Sequence, residues 1–422
     1  YFENAISLLP EDPWCNLQDI CAQLLTLAAE TALLEKQYCK MESWIDELLA
    51  HTRLPIEQAS IWTLRLQAYT AQNRLEEAVE ASNIALSFLD VNLSKLPSFS
   101  KVMFELFKTK YKLRNQTCES LLELQEMTDP SNLLIMRILG LTIPPAYWTS
   151  QNLVAVIVFK MTQISVELGY SPMTGYAFSW WGITESALLN QIKSGTEFGN
   201  LGIKIAEKYD LQLQQPLFFM GWMLQNFEKP LTDSIATLEH AYEVSLEKGD
   251  NEYASYALNN LTQAKFNSSQ PLDELVAGMK DTHKILKGFG YTSSQYWHDI
   301  CWQTANNFYE PCDEPDMLCG KAYNENQKLT LHHKAQDNST LFLLYFNKLL
   351  LSIFFNKENA ITYANKGREF LKSGAGMYAY AAFHFYDSLA LIKDIKAVPA
   401  NKRKHLKRIK KNQKQLLLEG HG

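Results

Sequence analysis

Between residues 61 and 86 the chain reads "IWTLRLQAYTAQNRLEEAVEASNIAL", and this stretch narrows the possible folds more than any other. Trp62, Leu66 and Tyr69 stand at i, i+4 and i+7, the spacing of one face of a helix, and Ala78, Ser82 and Ala85 repeat that spacing further on. The pattern predicts two helices joined at Gln72, Asn73 and Arg74. Small side chains at Ala78 and Ala85 let the second helix lie close to the first, and Trp62 and Tyr69 are expected to fill the crossing. A hairpin of this kind has an apolar face left over, so it needs neighbours.

Neighbours recur along the chain. "LQDICAQLLTLAAETALLEKQYCKMESWIDELL" predicts two helices broken near Glu35 to Tyr38. Helices follow at about Lys101 to Arg114 and Glu119 to Met127, and another begins at Thr128 or Asp129 with Pro130 in its first turn. Pro144 and Pro145 are expected to end it. "NLVAVIVFKMTQISVELGY" holds a β-branched cluster, but Val154, Ile157, Val158, Met161, Ile164 and Leu168 continue one helical stripe beyond strand length, with Gly169 as its stop. Further hairpins carry small or close-packing residues at Gly199 and Ala206, at Ser234, Leu238 and Ala241, and at Ala360, Ala364 and Gly367. "NEYASYALNNLTQAKF" pairs with "PLDELVAGMKDTHKILKGFG".

Composition agrees with an all-α chain. Gly is 18 of 422 residues, about 4%, against roughly 7% in average proteins, so few tight turns are provided for. With 46% apolar and 20% charged residues there is material for a core, and no low-complexity run divides the chain. We therefore expect one continuous helical repeat domain over 1–422, least regular at 310–322. The seven Cys include no C-x-x-C pair and read as reduced, buried thiols. No signal peptide and no apolar run of membrane-spanning length is seen, which points to a cytoplasmic setting and, without an initiator Met, to a fragment of something longer.

The spacing of residues 61–86 resembles the tetratricopeptide pattern, in which helix hairpins stack into an α-solenoid. "YFENAISLLPEDPW", "AAETALLEKQYCKMESWIDELLAHT", "IWTLRLQAYTAQNRLEEAVEA", "MTDPSNLLIMRIL", "GDNEYASYALNN" and "FHFYDSLALI" together resemble the helical repeat region of large bacterial multidomain signalling proteins. In that family a Ser/Thr kinase domain and an AAA-type ATPase usually precede the region, and GAF, histidine kinase, phosphatase or cyclase domains follow it. The resemblance implies a protein-binding or signal-relaying array. Its departures are as telling: no G-x-x-x-x-G-K-[ST], H-R-D, D-F-G or phospho-acceptor His motif occurs here. The chain is thus expected to be non-catalytic and without cofactor, its partner being another protein or the flanking domains of its own polypeptide. The alternative is a free-standing tetratricopeptide-like scaffold, and an enzyme with an unrecognised helical site is the third reading.

Tyr176, Trp180, Trp181, Trp222, Tyr253, Tyr256, Trp297 and Trp302 cluster in the middle of the chain and are candidates for a concave recognition wall. The same residues at helical spacing also serve as core between hairpins. His332 and His333 are adjacent and diverge by about 100° on a helix, and Cys312 and Cys319 with Asp313, Glu314 and Asp316 lack a zinc spacing, so no metal is expected. "NKRKHLKRIKKNQKQ" holds eight of the 40 Lys and Arg and no acid, leaving 32 basic against 46 acidic residues elsewhere. Leu406, Ile409 and Leu416 are expected to dock this C-terminal helix, 401–418, with its cations outward. Nucleic acid is not the expected partner, since a solvated face or a contact with the acidic body accounts for the charge.

Overall fold

The structure is a computed structural model that describes residues 1–422 except 11, 12, 73, 269, 375 and 419–422. It is helical, with no strand among the described residues beyond two isolated bridges, and divides into two compact units, Tyr1–Ala177 and Phe178–Gly422.

The first unit runs through α1 (Phe2–Ser7), α2 (Pro13–Asn16), α3 (Gln18–Leu34), α4 (Tyr38–His51), α5 (Pro55–Ala71), α6 (Leu75–Ser87), α7 (Phe99–Leu113), α8 (Cys118–Leu122), α9 (Pro130–Thr149) and α10 (Gln151–Leu168). α3 packs on α4 and α5 on α6, as the spacing predicts. Ala78, Ser82 and Ala85 are wholly buried at their positions on α6. Asn73, expected in the connection, lies outside the described residues. Trp62 and Tyr69 do not fill the crossing. Both are half-buried, with the Arg65 guanidinium 4.8 Å over the Trp62 ring and that of Arg74 4.3 Å over Tyr69, while Leu66 goes inside. A ring with one face under a guanidinium keeps a cation–π contact that the core would deny it.

Two boundaries differ from expectation. α9 continues through Pro144 and Pro145 to Thr149; a proline there forfeits a backbone bond, but the loss falls in the last turns, and Pro145 is buried. α8 stops at Leu122 because Gln125 and Met127 bond to the other end of α10's exit: Tyr170 N–H donates to the Gln125 carbonyl at 2.8 Å and Met127 N–H to that of Tyr170 at 2.9 Å. Gly169 stands there at φ 103°, with a Cβ position only 2.2 Å from the Gln125 carbonyl oxygen, so no other residue fits. Only Cys21 and Cys301 of the seven cysteines are buried; Cys118 is half-exposed, and Cys15, Cys39, Cys312 and Cys319 are exposed, because short terminal or loop positions, not stripe positions, carry most of them.

The second unit begins within α11 (Thr174–Ile183), which runs into a π turn at Thr184–Leu188, and continues through α12 (Ile192–Lys208), α13 (Gln214–Phe219) with a second π turn at Met220–Leu224 and a 3₁₀ turn at Gln225–Phe227, α14 (Leu231–Glu247), α15 (Asn251–Asn267), α16 (Leu272–Phe289), α17 (Thr292–Tyr309), α18 (Glu325–Lys334), α19 (Asn338–Phe354), α20 (Ala360–Glu369), α21 (Tyr378–Ala397) and α22 (Lys402–Leu418). α14 packs on α15, α16 on α17, α19 on α20 and α21 on α22, and alternate helices form their own row, α13 on α15, α15 on α17, α17 on α19 and α19 on α21. Gly182 and Gly195 make a close backbone crossing: a Cβ on Gly182 would lie 2.4 Å from the Gly195 carbonyl oxygen.

The irregular segment at 310–322 is no loose loop. Asn307 Nδ2 donates to the carbonyls of Pro315 (3.0 Å) and Met317 (2.8 Å), Gln303 Oε1 accepts from Ala322 N–H, and Asp316 and Leu318 are buried. Side-chain amides here replace the backbone pairing that the segment lacks. The C-terminal helix docks differently from expectation too. Ile409 is buried, but Leu406 is exposed and Leu416 only half-buried. Its anchors are Arg408 and Asn412, both bonded to the buried Asp387 of α21, and His405, bonded to Asp394 at 2.6 Å. Satisfying that buried carboxylate sets the rotation of α22, and seven of its eight cations remain exposed.

Candidate functional site

The aromatic candidates fall into separate groups. Tyr176 is buried on α11 in the first unit. In the second, Trp180 packs at 4.8 Å from Phe219, Trp222 stacks on Phe218 at 5.0 Å, and Phe218 also meets Tyr253 and Tyr256 at 5.6 and 5.9 Å. These form one aromatic cluster. Trp181 is apart, wholly buried and edge-on to Phe198. Trp297 is 7% exposed and gives its Nε1 proton to Thr340 Oγ1 at 2.9 Å. Trp302 is half-buried beside His283 and His298. So Trp222, Tyr256 and Trp302 keep some accessible surface, and the other five are buried.

The aromatic cluster carries a carboxylate. Tyr256 Oη donates to Glu252 Oε1 at 3.0 Å, and burial pushes the Glu252 carboxyl up to about 7, with Asp250 nearby adding to the rise. On the neighbouring helix His298 is wholly buried, donates its Nε2–H to the Met279 carbonyl at 2.9 Å, and is pulled down to about 4 by that burial. The two have opposite linkage. Glu252, raised from 4.5, contributes stability in full below about 4.5, and that contribution is lost as pH rises through about 7. His298, lowered from 6.5, contributes in full above about 6.5 and loses it as pH falls through about 4. Glu252→Gln keeps an acceptor for Tyr256 and removes the charge, so its stability relative to wild type should rise by about 1–3 kcal/mol between pH 4.5 and pH 8. Urea midpoints at both pH values check this; an unchanged difference would refute the assignment.

Two grooves flank the π turn at Met220–Leu224. One, of about 410 Å³, is lined by polar groups that include Asn200, Gln225, Glu228, Lys229, Thr237 and His240. The other lies along the row of alternate helices and is narrow, with about 40 Å³ of space within it, room for roughly three waters. Trp222, Trp297 and Phe346 contribute walls, and five amides line it: Asn226, Asn260, Gln263, Asn267 and Asn347. Among the described residues no Asp, Glu, Lys, Arg or His lines it. Cys301 at its edge is an inert thiol, raised to about 12 by burial. Sequence reasoning passed over these amides in favour of the rings. The signal was present in "NNLTQAKFN", where Asn260, Gln263 and Asn267 stand at i, i+3 and i+7 on one face of α15. Among the described residues no three His, Cys, Asp or Glu side chains gather as metal ligands, and no helix is long and apolar enough to cross a membrane.

No protein-family model matches the chain. A stretch of 286 residues is 24% identical to the hybrid signal transduction histidine kinase G of Dictyostelium discoideum, a match taking in 60% of this chain and 8% of that protein. The class these findings define is an all-helical chain of paired helices with a distant relation to a signal transduction protein. That relative is a eukaryotic histidine kinase many times longer than the matched segment, and the comparison gives no support to a bacterial origin or to an AAA-type ATPase neighbour.

Proposed function

We propose that this chain is a non-catalytic, protein-binding segment of a larger signalling protein, a tetratricopeptide-like array of hairpins relaying a signal between a partner or flanking domain and a kinase output. The carrying observation is the row α13, α15, α17, α19 and α21, each packed on the next, with one uncharged groove running along it. Such a row offers one long surface to an extended partner. The distant similarity to a signal transduction histidine kinase supports the signalling context. In the first unit α7 adds an exposed aromatic stripe, Phe104, Phe107 and Tyr111, each 61 to 65% exposed, of a kind that marks protein contacts.

The test has two arms. Calorimetry of the purified chain with Mg-ATP should give no binding, because the sequence encodes no phosphate loop, whereas micromolar affinity would overturn the non-catalytic reading. Cross-linking within the full-length protein should join the α7 stripe or the α13–α21 row to another domain or protein. Cross-links confined to this chain would overturn the relay.

A further inference from the structure

Four of the five amides of the narrow groove share one hydrogen-bonding arrangement, while Gln263 donates instead to Asn259 Oδ1 at 3.3 Å. Asn260 Nδ2 donates to the Tyr256 carbonyl at 2.9 Å, Asn267 Nδ2 to that of Gln263 at 2.7 Å, and Asn347 Nδ2 to that of Leu343 at 2.8 Å, each four residues back on its own helix. Asn226 does the same to Trp222 at 3.0 Å, and its Oδ1 accepts from Ser234 Oγ. One Nδ2 hydrogen is thereby used and the side chain is fixed against its helix. The second Nδ2 hydrogen remains, and Oδ1 of Asn260, Asn267 and Asn347 has no bonding partner among the described residues. Asn260 and Asn347 are 9% and 6% exposed, yet neither Oδ1 is among the fully enclosed unpaired atoms, so each acceptor is reached through the groove and is open to a ligand.

We propose that this groove binds an extended, uncharged polypeptide segment through its main chain, a reading that rests on the protein-binding role above. An amide offering one donor and one acceptor is the complement of a peptide unit, which has one N–H and one C=O. Asn260, Gln263 and Asn267 succeed each other at one-turn intervals along α15, and Asn347 faces the same groove from α19, so a chain laid across its mouth meets amides from two helices. The absence of charge among the described lining residues disfavours phosphates, chain-end carboxylates and strongly charged peptides, which would lose hydration without gaining a partner. The narrow groove suits a backbone with small side chains. A flat ring or sugar lacks a platform there: Trp297 and Phe346 are buried, and one face of Trp222 is taken by Phe218.

The test is panning of a random dodecapeptide phage pool on the whole chain, followed by titration of the enriched peptides as synthetic compounds. We expect sequences poor in charge and rich in Gly, Ala, Ser and Thr. Asn347→Ala should weaken them at least about tenfold, some 1.4 kcal/mol, and so should backbone N-methylation at alternate positions, which removes the N–H groups and leaves the side chains. Asn267→Ala, at the half-buried end of α15, supplies a second variant that does not disturb the core, and thermal unfolding of each variant controls for folding. If enriched peptides bind both variants as tightly as wild type, or tolerate N-methylation, the groove is not their site and the proposal falls, while the protein-binding role stands. Selection of charged, salt-sensitive peptides, or of none, also overturns the groove. The cross-linking experiment judges the wider reading independently.

Discussion

Replacing Asp387 by Ala should destabilise the second unit by about 3–5 kcal/mol, the range for removing one partner of a buried ion pair. The Asp387 side chain is wholly buried on α21, with Arg368 Nη2 at 2.5 Å, Arg408 Nε at 2.9 Å and Asn412 Nδ2 at 2.7 Å. Removing the carboxylate leaves two guanidiniums facing a vacated site and takes from the buried Asn412 amide one of its two acceptors, Ser388 Oγ at 3.1 Å being the other. Arg368 and Arg408 retain 27% and 20% of their side-chain surface in solvent, so rehydration should hold the loss to the lower half of that range. Because Arg408 and Asn412 belong to α22, the effect should also be local, with amide exchange in α22 accelerating before that of α19. Lys410→Ala, on the exposed face of the same helix, should change stability by less than about 0.5 kcal/mol. Matching urea midpoints for the Asp387 and Lys410 variants would remove the ion cluster from the account of how this helix is held.

Trp181→Ala should cost a similar amount, about 3–5 kcal/mol, by opening a cavity. Trp181 has no exposed surface, stands edge-on to Phe198 on α12, and precedes Gly182, whose contact with Gly195 leaves the two backbones no room to close over a void. Trp222→Ala removes a ring that is partly in solvent and should cost less. Thermal melts of the two variants decide this. A Trp181 variant melting with wild type would mean that the crossing collapses onto the gap.

The paired helices were legible because a 3.6-residue apolar repeat survives almost any tertiary context: Val154, Ile157, Val158 and Met161 all sit inside where the stripe puts them. The buried small residues Ala78, Ser82, Ala85, Ala360 and Ala364 were legible for the same reason. The π turns at 184–188 and 220–224 were not. An i to i+5 bond pattern adds one residue to a turn without a compositional mark, so nothing in the sequence marks the turn that carries Trp222. Periodicity also cannot separate a ring that fills a core from one that lines a wall, and five of the eight aromatic candidates are buried. In α22 the stripe misled because one buried carboxylate on a different helix outweighed two leucines. The amide groove was missed for a simpler cause: Asn and Gln on a helix read as surface until their neighbours are known.

In the row α13 to α21 each helix packs on the next, so a disturbance in one is felt by its neighbours and fades beyond them. Much as vertebrae have stiffness only where adjacent ones are bound, helices coupled solely to adjacent helices transmit displacement poorly over distance. The amide groove is bordered by residues from the second π turn, α14, α15, α17, α19 and the start of α21. A single strand lying in it would touch helices that do not touch one another and act as a splint, turning a chain of short-range joints into one lever. The signal such a segment carries would then be its change in rigidity when the groove fills.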